Sequence, residues 1–68
     1  MEFDEFSYYE VMDRLHVTMV NMETNLIEHD LVNHNEDYFN LIDEAQTKLM
    51  EVYQMLGREV YEKFKKEK

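Results

Sequence analysis

The chain has no cysteine, no proline, no tryptophan and one glycine in 68 residues, and its basic residues are few. Without cysteine there is neither a disulfide framework nor a thiolate metal site, and nothing asks for an oxidising compartment, so the cytoplasm is the expected location. With no proline and a single glycine, almost nothing interrupts a helix. No apolar run exceeds a few residues, and the N-terminus lacks a basic segment leading into an apolar one. Neither a membrane span nor a signal peptide is therefore expected. Sixteen acidic residues against seven basic ones give a net charge of −9, which repels a phosphate backbone and argues against direct nucleic-acid binding.

What is present favours folding. The hydrophobic fraction of 44% is that of a globular chain, well above an acidic disordered tail. At this length one domain over residues 1–68 is expected, near the size where a lone core is marginal and oligomerisation is a common remedy.

The most informative stretch is 8 to 32, which carries two apolar stripes. Tyr8, Met12, Leu15, Met19, Met22 and Leu26 recur at spacings of four, three, four, three and four, the pattern of a helix seam. Val17, Val20, Ile27 and Leu31 form a second row. At about 100° per residue the two rows lie roughly 135° apart on the cylinder, so one neighbouring helix cannot cover both. The first stripe is expected to face a helix of the same chain and the second another subunit or partner, although the roles could be reversed.

Two starts compete for this helix. Ser7-Tyr8-Tyr9-Glu10 fits a capping box with Phe6 and Val11 as a hydrophobic staple, and Asp4 is a rival cap one turn earlier. A turn is expected at Asn33-His34-Asn35, with Asn33 closing the first helix, an asparagine available for a left-handed residue, and Asn35 capping the second ahead of Glu36 and Asp37. Helix 1 then spans about 5–32, the turn 33–35 and helix 2 about 36–65. Each arm is roughly 40 Å long, and so short a connection makes the arms antiparallel. On helix 2, Phe39, Ile42, Leu49, Tyr53, Leu56, Val60 and Phe64 are expected inside, with Ala45 and Val52 on the same broad face. Spacings in eleven-residue units suggest a nearly straight helix in a short, compact bundle.

Charge is distributed unevenly. Residues 1–62 hold fifteen acids and three bases, while 63–68 hold four lysines and one glutamate. Folding back near residue 34 brings Lys63, Lys65, Lys66 and Lys68 beside Glu2, Asp4 and Glu5, which favours the antiparallel hairpin. Most aromatics gather at the same open end.

Little here specifies chemistry. Asp13 with His16 and Asp30 with His34 have helical spacings that could place metal donors, but inward carboxylates from a partner helix are missing. Ser7 is the only serine and has a capping use, and paired carboxylates such as Asp43-Glu44 read as a solvated face. Gly57 alone makes no phosphate loop; it is expected to accommodate Tyr8, Val11 or Met12, or else to admit a second chain. No catalytic site and no cofactor is assigned. The sequence reads as an all-α antiparallel two-helix hairpin, assembling as a homodimeric four-helix bundle. The function expected is that of a small acidic, non-enzymatic interaction or regulatory module, using Tyr9, Val17, Val20, Ile27, Leu31 and Tyr61 toward itself and a second, unidentified protein. Two alternatives stand beside it: a nucleic-acid mimic presenting Glu23, Glu28, Asp30, Glu36, Asp37, Asp43, Glu44 and Glu51, and a His/carboxylate metal-binding bundle.

Overall fold

Asp4 settles where the first helix begins. In the computed structural model, which describes residues 2–65, Asp4 is extended (φ −82°, ψ 173°) and its carboxylate accepts from both the Ser7 N–H and the Ser7 hydroxyl, at 3.0 Å each. Helix α1 runs Glu5–Met22. Ser7 sits inside its first turn, so the capping box on Ser7 does not form, and Phe6, 69% exposed, makes no staple. Glu5 in the first turn complements the helix dipole.

The expected continuous helix to residue 32 is interrupted. After Met22 the backbone widens into a π-helical turn, Glu23–Ile27, in which the Glu28 N–H reaches back five residues to the Glu23 carbonyl at 3.0 Å. That extra residue moves the seam from Leu26 to Ile27. Leu26 is 41% exposed and Ile27 is half-buried, the reverse of the sequence expectation for both. The chain then breaks at Glu28 and His29. His29 is extended, and its Nδ1 accepts from the Leu31 N–H at 3.1 Å to cap a four-residue helix α2, Asp30–Asn33.

The break has a packing reason. On an uninterrupted helix Val32 would lie about 120° around from the seam, whereas here it is buried, 8% exposed. Asn33 ends α2 as expected, and its amide donates to the Ile27 carbonyl at 3.4 Å, a group the break leaves without a helical partner. The turn narrows to His34 and Asn35. Among the described residues none has a positive φ, so the left-handed asparagine is not used. Asn35 caps α3, accepting from the Tyr38 N–H at 3.0 Å.

Helix α3 runs Glu36–Val60 and continues as a second π-helical turn, Tyr61–Lys65. It lies antiparallel against α1. The Met12 methyl stands 3.7 Å from where a Cβ on Gly57 would be, and Gln46 donates to the Glu23 carboxylate at 3.4 Å. Half-buried Phe39, Ile42, Leu49, Tyr53, Leu56 and Phe64 line the contact with buried Val60. Ala45 is exposed and Val52 is 43% exposed, so neither shares that face as expected.

Opposite charges meet at the open end. Lys65 pairs with Glu5 at 3.0 Å, and the Lys63 ammonium donates to the Tyr8 hydroxyl at 3.1 Å while Tyr8 meets Phe64 edge-on at 5.8 Å. Lys63 lies 5.5 Å from the Tyr8 ring centre, out beyond the hydroxyl, so it binds the oxygen and not the ring face. Lys66 and Lys68 fall outside the described residues. The single hairpin is elongated: it measures 50 × 23 × 15 Å with a radius of gyration of 15.4 Å, against about 11 Å for a compact chain of this length.

Candidate interaction surface

A two-helix hairpin has an inside but no centre, and burial reflects this. Met19, Val32 and Val60 are the buried apolar residues among those described, and no large side chain among them is fully enclosed. The seam Tyr8, Met12, Leu15 and Met22 is only half covered by α3. Fourteen large apolar or aromatic side chains among the described residues are exposed.

The surface residues expected from sequence are dispersed. Tyr9 and Val20, 43% and 50% exposed, share one flank of α1 by helical angle, and Lys65 lies 5.8 Å from the Tyr9 ring on that side. Tyr61 belongs to the same flank, where it borders an open groove with Tyr53, Gly57 and Arg58. Val17 lies farther round, at the back of α1. Leu31 projects from α2, beyond the break, and Ile27 has turned inward. They do not make one stripe.

The opposite flank is more regular, and its α3 part is absent from the sequence expectation. Tyr38, Leu41, Val52 and Met55 are exposed by 49, 67, 43 and 54%, and with exposed Ala45 they follow a seam pattern along α3. An open groove of about 400 Å³ adjoins it, lined by Phe3, Tyr8, Val11 and Leu56. The signal was present as a three-four spacing, but α3 carries apolar residues over so broad an arc that the spacing alone does not say which part its single neighbour covers.

The polar candidates have local structural uses or face solvent. His34 donates through Nδ1 to the Asp30 carbonyl at 2.9 Å and is spent on the turn. Asp13 and His16 are both exposed. Among the described residues no three His, Asp or Glu side chains converge to hold a metal ion. The eight acidic side chains of the turn-proximal half are all exposed, with Glu23 accepting from Gln46.

Three groups at the open end titrate away from their ordinary values. The Ser7 N–H, then its hydroxyl, hold Asp4 below the usual aspartate value. Lys63 is raised, chiefly by its hydrogen bond to Tyr8, and Lys65 chiefly by its bond to Glu5 and next by Tyr9. Each favours the charged form that the contact uses. The two lysine contacts fasten the hairpin ends, the Asp4 contact caps α1, and none of them places a reactive group.

No protein-family model, curated protein or solved structure matches the chain. No described helix is long and apolar enough to cross a membrane.

Proposed function

We propose that this chain is a non-enzymatic helical interaction module whose hairpin pairs with a second copy as a four-helix bundle. One observation carries the reading. The chain exposes 5526 Å², whereas a compact monomer of this size exposes roughly 4,600 Å². The excess, roughly 900 Å², is close to the ~800 Å² that each partner loses in a standard interface. Two hairpins face to face supply the second layer that an isolated helix pair lacks.

The flank with Tyr9, Val20 and Tyr61 then remains for helix-face docking of another protein, with aromatic anchors for contact and the acidic field for steering. Sedimentation across a concentration series, with helicity followed in parallel, tests self-association. A dimer by tens of micromolar and a melting temperature that rises with concentration are expected. A fully helical monomer with a concentration-independent melt overturns it.

A further inference from the structure

Charge sharpens the exposed stripe of α3. Tyr38, Leu41, Ala45, Lys48, Val52, Met55 and Glu59 succeed one another at spacings of three, four, three, four, three and four, a heptad seam whose seven members are all exposed. Two of its positions are charged, with opposite signs. Beside the seam lie Glu51 and Arg58, also exposed and also opposite. Among the described residues Lys48, Glu51 and Arg58 make no ion pair.

We infer that α3 packs antiparallel against α3 of a second copy along this stripe, in the register that sets Lys48 against Glu59 of the partner subunit. The inference rests on the self-association proposed above and names its surface and register. A two-fold axis makes the contact self-complementary, so every pairing occurs twice. With stripe kept on stripe, register changes only by whole heptads, and charge separates the choices. In the inferred register Val52 meets Met55 of the partner subunit at the centre, Lys48 and Glu59 close the layers on either side, Glu51 lies beside Arg58 of the partner subunit, and one layer farther out Ala45 meets Glu62 of the partner subunit. A shift of one heptad in one direction sets Glu51 beside its own symmetry mate and Glu59 against Leu41. The opposite shift sets Arg58 beside its symmetry mate and Glu59 against Met55. Both alternatives set like charges beside each other near the axis and put Glu59 against an apolar side chain instead of Lys48, which opposes pairing.

The flank of α1 that carries Tyr9 and Val20 offers no such seam. Asp13 and His16 interrupt it, and the π-helical turn at Glu23–Ile27 rotates the residues beyond it out of phase. Helix α3 keeps one phase over its 25 residues.

The test is a charge swap in the full chain, read by sedimentation equilibrium with helicity checked by circular dichroism. K48E and E59K singly are expected to raise the dimer Kd about tenfold, since each breaks two symmetric pairs and replaces them with repulsion. The K48E/E59K double variant is expected to return to within about threefold of the original. V52D, at an exposed position in the monomer, is expected to give a helical monomer at concentrations where the parent is dimeric. Additive damage in the double variant overturns the register, and singles and V52D that all dimerise like the parent overturn the surface. A parent chain that is itself monomeric overturns the self-association reading instead, so the two failures are distinguishable.

Discussion

Replacing Gly57 with alanine should stabilise the hairpin. A glycine inside a helix costs about 0.8 to 1.0 kcal/mol relative to alanine through the backbone freedom it loses, and Gly57 lies well inside α3. The cost is recoverable only if a methyl group fits. A Cβ placed there meets the Met12 methyl carbon at 3.7 Å, ordinary van der Waals contact with the far end of a flexible side chain. The half-buried position adds a few tenths of a kcal/mol for the methyl itself. The sum is a gain of about 1 kcal/mol, or roughly 4 to 8 °C in melting temperature for a domain of this size. Thermal melts of Gly57→Ala and the parent at one protein concentration measure it. Dimer affinity should not change, because Gly57 lies on the far side of α3 from the Val52 and Met55 stripe. A lower melting temperature refutes the fit at Met12, and weakened association with a normal melt shows that a second chain approaches at Gly57.

Truncation on either side of the π-helical turn gives a paired comparison: Ile27→Ala, at a half-buried side chain, should cost roughly 1 to 3 kcal/mol in urea unfolding and Leu26→Ala less than about 1. Equal costs, or the reverse order, contradict the shifted seam. The acid limb of stability should depend on Asp4. Its folded-state value is depressed, so its contribution is complete above the ordinary aspartate value of about 4 and is lost as pH falls through the lower one. Asp4→Asn, which still caps, should make acid unfolding less steep. Lys63 and Lys65 are raised, so their contribution is complete below about 10.4 and is lost as pH rises through the higher folded-state values. Lys65→Gln should flatten the alkaline limb of a pH series of melts, and an unchanged limb refutes the assignment.

The hairpin was legible in the sequence because its determinants are local. Asn35 followed by two acids is a helix start by itself, and Tyr8 through Met22 is a seam by spacing alone. The open-end charge closure came from chain reversal, and Glu5 with Lys65 realises it. What escaped is non-local. Nothing in Glu23-Thr24-Asn25-Leu26-Ile27 announces a π-helical turn, because the turn exists to bring Ile27 and Val32 to α3, and that demand is set by the partner helix and not by the five residues. Choosing Asp4 over Ser7 likewise needed geometry, since both satisfy the same first-turn rule. The stripe at Tyr38 to Glu59 was hidden for a different reason. Period identifies apolar faces, but how wide an arc one neighbour covers depends on how many neighbours there are.

That limit also bears on the acidity of the chain. An apolar seam on an exposed helix invites indiscriminate association, and a net charge of −9 opposes it by repelling copies at long range. The same repulsion would oppose the proposed dimer if the seam were bordered only by acids. It is not: Lys48 and Arg58 stand among Glu51 and Glu59, so the strip that two copies share is close to neutral while the body around it is acidic. On the proposed pairing, long-range charge discourages contacts in general, and short-range charge permits one register. Neutralising the two strip cations should therefore weaken assembly, because it strips the interface of its attractive pairs and makes the whole chain more negative. Neutralising two acids of the turn-proximal surface should instead leave assembly intact or strengthen it, because it only lessens the long-range repulsion.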